Sequence, residues 1–300
     1  MSPDTPKVRA DVEGRTLTLS NLDKILYPEA GFTKAQVIDY YQRIAPVMLP
    51  HIASRPVTFK RYPEGVDGEF FFQKHAPAHR PDWVPTARLA SPGSTKSRET
   101  IEYVLGGDLP TLIWAANLAA LELHTPMWRH PAVGEPDLLV FDLDPGLPAT
   151  VVECCQVALL LRPLLTKLRL RPAAKTSGGK GLQLYAAVSG KTSEQTSDLA
   201  KGLAEQLAAE HPDLVVSRQT KALRPGKVLI DWSQNNAAKT TVAPYSLRAR
   251  SQPTVSTPVS WEEVADCEQA ADLVFTADDV IERVRESGDM FAVTLARSAR

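Results

Sequence analysis

The chain has 300 residues, of which 43% are hydrophobic and 23% charged, with a net charge of −1. That balance suits a globular protein of one large or two smaller units with a sizeable core. No run of about 18 apolar residues is present to span a membrane, and the polar, proline-containing start, Met1 to Arg9, has no apolar signal core, so a cytoplasmic location is expected. Cys154, Cys155 and Cys267 lack CxxC spacing, which argues against a disulfide framework or a structural zinc site.

In chain order, Thr33 and Gln36 form a capping box ahead of Val37, Tyr40, Tyr41, Ile44, Val47 and Met48. This predicts an amphipathic helix that runs out near Pro50. Residues 57–62 and 68–74 read as short strands, 91–98 as a Ser/Gly/Lys loop, and 109–123 as a mostly apolar helix delivering His124 at its end. A proline- and glycine-bearing stretch, 131–136, marks a seam between subdomains. Beyond it come a strand at 137–143, a Pro145-Gly146 turn, and a helix over 150–168 kinked at Pro163. A strand at 173–176, the Ser177-Gly178-Gly179 turn and a strand at 182–188 follow. Leu199, Leu203 and Leu207 line a helix over 193–210, and strands at 214–217 and 228–232 meet across Pro225-Gly226. The order β-α-β-β-α-β plus one strand predicts an α+β fold with a ferredoxin-like, RNA-recognition-type palm sheet. The expected units are an N-terminal α/β subdomain (1–135), a catalytic palm (136–250) and an acidic helical segment (251–300) packing on the core.

Charge is unevenly spread. Between Arg218 and Arg250 stand Lys221, Arg224, Lys227, Lys239 and Arg248, with Asp231 the lone acid, whereas the tail after Trp261 is acidic. A local basic surface binds polyanions whatever the net charge.

The crossover through the first palm helix makes the strands on either side of it parallel. Asp142 and Asp144, the Ser177–Gly181 turn and Asp231 are then expected on one sheet edge, the last strand running in the same sense as the first. Residues two apart share a face. Leu139, Phe141 and Leu143, like Val228, Ile230 and Trp232, should lie under the helices, leaving Asp142, Asp144, Asp231 and Gln183 on the open face. Carboxylates so crowded repel unless cations join them, and oxygen-only ligation suits two Mg²⁺ or Mn²⁺ ions. Alone, Asp-x-Asp before Pro-Gly is a turn and Ser-Gly-Gly-Lys-Gly a flexible hairpin. Their convergence with Asp231 favours the metal reading.

The strings Leu139-Val-Phe-Asp-Leu-Asp-Pro-Gly146, Thr176-Ser-Gly-Gly-Lys-Gly-Leu182 and Val228-Leu-Ile-Asp-Trp-Ser-Gln-Asn235 resemble the polymerase domain of bacterial ligase D. So do Lys239-Thr-Thr-Val-Ala-Pro-Tyr-Ser-Leu-Arg248, Asn21-Leu-Asp-Lys-Ile-Leu-Tyr-Pro28, Arg55-Pro-Val-Thr-Phe-Lys-Arg-Tyr-Pro63 and Leu121-Glu-Leu-His-Thr-Pro-Met-Trp128. That domain belongs to the archaeo-eukaryotic primase superfamily and acts in non-homologous end joining. The resemblance covers nearly the whole chain. It implies a DNA-directed nucleotidyltransferase, a polymerase or primase preferring ribonucleotides and Mn²⁺. In this reading Asp142, Asp144 and Asp231 hold the metals, and His124, Ser177, Lys180, Gln183, Gln234, Lys239 and Arg248 line the nucleotide pocket. Lys24 and Lys34 take the 5′-phosphate of a gapped or broken end, Phe71 and Phe72 stack on template bases, and Lys60, Arg61 and the 91–98 loop place template and primer. Of Phe71 and Phe72, at least one should be exposed.

The family commonly has histidine where this chain has Gln183, which can hydrogen-bond but carries no charge. No nuclease or ligase stretch lies within these residues, so a standalone paralogue or split partner, working with a Ku-like protein and a separate ligase, is the expectation. Two other functions fit the same residues: a metal-dependent nuclease and a non-catalytic module that binds DNA ends.

Overall fold

The computed structural model describes residues 7–90 and 99–295. A hairpin of β1 (Lys7–Val12) and β2 (Arg15–Ser20) is followed by the short pair β3 (Ile25–Tyr27) and β4 (Phe32–Thr33). The α1 helix (Lys34–Ile52) begins at the expected capping box, with Gln36 N–H donating to the Thr33 hydroxyl at 3.3 Å and Thr33 N–H to Gln36 Oε1 at 2.8 Å. It continues past Pro50, its last turn tied down by His51 Nε2 on the Asp289 carboxylate at 2.9 Å. Val37, Tyr41, Ile44 and Met48 are fully buried, as their helical spacing requires.

Next come β5 (Pro56–Arg61), β6 (Phe71–Gln73), β7 (Thr86–Ala90), β8 (Thr100–Leu105), α2 (Leu109–Asn117) and β9 (Ala120–Thr125). The helix expected through 123 stops at Asn117. Ala119 takes a left-handed φ of 55° and the chain turns into a strand. The residues at fault are Leu121-Glu122-Leu123-His124, where apolar and polar alternate with period two rather than 3.6. His124 therefore sits on a strand, with Glu122 on the same face.

The second half holds β10 (Leu138–Pro145), α3 (Val151–Lys167), β11 (Ala173–Thr176), β12 (Leu182–Ala187), α4 (Ser193–Glu210), β13 (Val215–Val216) and β14 (Val228–Asp231). It ends with β15 (Thr241–Val242), β16 (Pro258–Val259), α5 (Trp261–Ala265) and α6 (Ala277–Ser287). Its sheet runs β13-β14-β10-β12-β11-β16. Both β10 and β11 are antiparallel to the β12 between them, hence parallel to each other, as the crossover through α3 demands. This is the expected split-βαβ sheet.

One strand direction differs from expectation. β14 runs antiparallel to β10 and parallel to β13, because residues 217–227 form a crossing loop with a 3₁₀ turn at Lys221–Leu223 rather than a tight hairpin. Asp231 reaches the carboxylates because β14 is short and ends at its register partner, Asp142.

Leu139, Phe141, Leu143, Leu182, Leu184, Val228 and Ile230 pack beneath α3 and α4, and Trp232, the first residue of a 3₁₀ turn, packs partly against them. The other face is less open than the alternation implied. Val140, Ala173 and Tyr185 join a core shared with α1, α2, β5 and β9. β15, within the stretch assigned to the palm, pairs with β9 of the N-terminal sheet, and α6 packs on α1. At the strand end, Asp142 is partly exposed and Asp144 exposed. Among the described residues no helix is long and apolar enough to cross a membrane.

Candidate active site

A polar row crosses the palm sheet. Asp231 of β14, Asp142 of β10, Gln183 of β12 and Lys175 of β11 stand directly opposite one another in register, and such neighbours lie about 4.5–5.5 Å apart between Cα atoms. Asp144, two residues beyond Asp142, shares its face at the exposed strand end. Gln183 Nε2 donates to Asp142 Oδ1 at 3.0 Å, and Lys175 Nζ donates to Gln183 Oε1 at 2.5 Å and to Ser256 Oγ at 2.7 Å. Burial, then the charge of Asp144, then that of Asp231 push the Asp142 carboxyl up to about 6, against the Gln183 hydrogen bond. Asp144 is raised too, by partial desolvation and Asp231, while Arg224 pulls the other way.

Such repulsion is what a bound cation relieves, and three oxygen-only ligands suit Mg²⁺ or Mn²⁺. As they stand, however, no three His, Cys, Asp or Glu side chains among the described residues are arranged to hold an ion. Asp231 is occupied by its own turn. Its Oδ1 accepts from Ser233 N–H at 3.0 Å and the Ser233 hydroxyl at 2.6 Å, and its Oδ2 from Gln234 Nε2 at 3.0 Å. The residues thus fit the metals in chemistry and strand placement.

The Ser177–Gly181 turn closes on itself. Ser177 N–H donates to Gly181 O at 2.9 Å, and the Ser177 hydroxyl accepts from the N–H groups of Gly179 (3.2 Å) and Gly181 (3.1 Å). The turn is docked against residues 248–255, where Arg248 Nη1 donates to Ser177 O and the Thr254 hydroxyl to Gly178 O at 2.9 Å. Gly178 has φ +65°, and a Cβ there would come within 2.5 Å of the Arg248 side chain and 2.8 Å of the Val255 backbone. Lys180 is exposed at the tip. Gln183, expected on an open face, is instead only 3% exposed, because Lys175 and Tyr185 close over it. Gln234 holds Asp231, and its own buried Oε1 has no hydrogen-bond partner among the described residues. Lys239 is exposed just ahead of β15.

A second charge centre was not foreseen. Glu122, 2% exposed, accepts from His124 Nε2 at 2.9 Å and from Ala249 N–H at 3.1 Å, with Arg248 Nε at 3.4 Å and Lys60 Nζ at 3.7 Å. Burial would raise its pKa, but the His124 hydrogen bond and the charges of Arg248, His124 and Lys60 hold it down at about 2. Burial lowers the pKa of His124, while its hydrogen bond to Glu122 and the charge of that carboxylate work the other way. The signal was present in the alternation along β9.

Lys60 Nζ also lies 4.2 Å from the centroid of the Phe70 ring, and the Phe72 and His124 rings are 6.1 Å apart. Phe70, Phe71 and Phe72 are all exposed, at 50%, 43% and 58%, and among the described residues β6 pairs with β5 alone. Arg61 stacks over Phe71 at 5.1 Å. Lys24 bonds Glu64 at 2.6 Å. Lys34 is 5% exposed, donates to Ser20 O at 2.6 Å, and is pushed down to about 8 by burial, then by Lys24 and Arg61. Those three cations are therefore electrostatic neighbours. The 91–98 loop lies outside the described residues.

The family model described as LigD, primase-polymerase domain, matches residues 33–291. The multifunctional non-homologous end joining protein LigD of Mycolicibacterium smegmatis is 46% identical over 277 residues, covering 91% of this chain and 35% of that protein. The bifunctional LigD of Bacillus subtilis is 33% identical, covering 92% of this chain and 43% of that protein. The chain thus spans less than half the length of these relatives. Among solved structures, the polymerase domain from Mycobacterium tuberculosis ligase D in complex with DNA superposes with a TM-score of 0.87 at 41% identity, covering 94% of this chain and 99% of that one.

Proposed function

The chain belongs to the LigD primase-polymerase family, and on that premise we propose that it is a metal-dependent, DNA-directed nucleotidyltransferase that fills in or extends DNA ends during end joining. The observation that carries this is the register pairing of Asp142 with Asp231, with Asp144 on the same face, beside the turn that Arg248 grips. Asp142, Asp144 and Asp231 would hold two divalent cations, Mn²⁺ or Mg²⁺, which when bound lower the pKa of a primer 3′-hydroxyl and offset charge on the phosphates. The hydroxyl attacks the α-phosphate of a nucleoside triphosphate and pyrophosphate leaves.

The chain's own residues do the binding. Lys180, Lys239 and Arg248 supply positive charge to the triphosphate, Ser177 and His124 face the sugar and phosphates, and Gln234 steadies Asp231. Gln183 acts from beneath, on Asp142. Phe71 and Phe72 offer exposed rings to template bases. Lys24, Lys34 and Arg61 form a cationic site for a 5′-phosphate, and the DNA-bound relative supports DNA as the partner. Ribonucleotides, a Ku-like protein and a separate ligase complete the reading, with a cytoplasmic location.

The test is extension of a 5′-phosphorylated gapped duplex, comparing ribo- and deoxynucleotides with Mn²⁺ and Mg²⁺. Asp142→Ala should abolish extension while DNA binding persists. Extension by that variant at the wild-type rate would remove the metal mechanism. The hydrogen bonds that occupy both oxygens of Asp231 favour one second reading, a non-catalytic end-binding module. Tight binding of 5′-phosphorylated ends with no incorporation under any metal would select it.

A further inference from the structure

We propose that Lys175 is a positioning residue for the metal-binding carboxylates, acting through Gln183 to hold one oxygen of Asp142 and leave the other facing the cation. The proposal deepens the reading above and rests on its assignment of the metal site.

Lys175 is wholly buried, and among the described residues it makes no ion pair within 4 Å. Its ammonium meets Gln183 Oε1 at 2.5 Å, Ser256 Oγ at 2.7 Å and the Tyr185 ring at 5.4 Å from the centroid. Packing alone does not call for a lysine there, because an apolar side chain of similar length would fill the space without a charge to desolvate. The negative charge it reaches is Asp142, by way of one amide.

That amide has a single workable orientation. A carboxylate only accepts, so Gln183 must turn Nε2 to Asp142, which leaves Oε1 for the Lys175 donor, as observed; burial pulls the Lys175 pKa down and the charge of Asp142 holds it up. The Tyr185 hydroxyl, 3.4 Å from Oε1, sits on the same side. Ser256 is committed as well, since its hydroxyl donates to Thr176 O at 2.8 Å and so offers Lys175 a lone pair. The hydrogen bonds run in one sense from Nζ to Asp142, and each polarises the next. The result is a fixed donor on Asp142 Oδ1. Asp142 selects the flip, and Lys175, with the Tyr185 hydroxyl farther off, holds the amide oxygen that keeps the donor in place.

Hydrogen-bonding partners of ligating carboxylates typically change metal affinity about 10–100-fold when removed. The experiment is Mn²⁺ binding without nucleotide, read from the free-ion signal in electron paramagnetic resonance, for wild type, K175M, Q183M and K175M/Q183M, with unfolding in EDTA to confirm the fold. We expect K175M and Q183M each to weaken Mn²⁺ binding about tenfold, and the double variant no more than either alone. Unchanged affinity in K175M overturns the proposal, as does multiplication of the two losses in the double variant, which would mean Lys175 does not act through Gln183. Should K175M fail to fold, K175M/Q183M, which leaves no glutamine carbonyl without its Lys175 donor, must still lose about tenfold, and wild-type affinity there is equally fatal. D142N separates the two levels of the argument. Loss of binding in D142N but not in K175M sinks the relay alone, whereas a wild type that binds no Mn²⁺ sinks the metal site with it.

Discussion

Removing the charge of Asp142 should stabilise the metal-free protein. Its carboxyl is raised from 3.8 to about 6 by burial and by Asp144 and Asp231, so keeping it ionised in the folded state opposes folding. A shift of roughly two units corresponds to about 3 kcal/mol at 1.36 kcal/mol per unit, taken as an upper bound. The folded state holds this proton more tightly than the unfolded chain. The favourable contribution is therefore present below about pH 4, fades as pH rises between 3.8 and about 6, and is gone above that. Asp142→Asn keeps the shape and an acceptor for the Gln183 donor but cannot ionise. In EDTA at pH 7.5 it should be more stable than wild type by up to about 3 kcal/mol, or several degrees in Tm for a chain of this size. The gap should shrink steadily as the pH is lowered towards 4.5. Urea unfolding across that range measures it. Added Mn²⁺ should reverse the order, because only the wild type keeps the full carboxylate set. A variant no more stable than wild type at pH 7.5, or an advantage independent of pH, would refute the account of mutual repulsion.

Glu122→Gln should destabilise by about 3 kcal/mol in urea at pH 7, because a buried carboxylate serving His124, Arg248 and Lys60 is lost; since its pKa is lowered to about 2, the stabilisation is present above the ordinary 4.5 and fades as pH falls towards 2. Preference for 5′-phosphorylated over unphosphorylated ends should fall as pH rises through about 8, where Lys34 loses its proton, and Lys34→Met should abolish both the preference and its pH dependence in a binding titration. Gly178→Ala should raise the KM for nucleotide more than it lowers Tm, since a Cβ at φ +65° would meet Arg248 at 2.5 Å; unchanged KM would show that the turn does not place Arg248.

The palm could be read from the sequence because its strands are short, apolar-alternating and bounded by caps and turns. The helix of α4, with Leu199, Leu203 and Leu207 on one face, ends where the spacing predicts. The strand sense of β14 could not be read, since Pro225-Gly226 looks like a hairpin turn while the loop around it, with its 3₁₀ turn, actually crosses over. The wrong sense for that strand still gave the right neighbours for Asp231. Side-chain parity depends on which face a residue takes, and antiparallel and parallel pairing put Asp231 on the same face of the sheet. The missed end of α2 had the opposite character: the apolar content of 109–123 was read correctly, but its period changed from 3.6 to 2 after Asn117.

What escaped altogether were the buried charges. Glu122 and Lys175 have no motif of their own, and in isolation a charged residue within an apolar run reads as the solvent face of an amphipathic element. Each is buried because an element distant in sequence closes over it. Residues 248–249 and Lys60 cover Glu122, and Ser256 and Tyr185 cover Lys175. Both sit one step behind residues the sequence did point to, His124 and Gln183, and both work by restricting what those side chains can do. A glutamine beside three carboxylates looked like a weakened substitute for a charged residue. With a buried ammonium holding its carbonyl oxygen it becomes a donor of fixed direction, so the charge missing at position 183 is supplied one strand away, at Lys175.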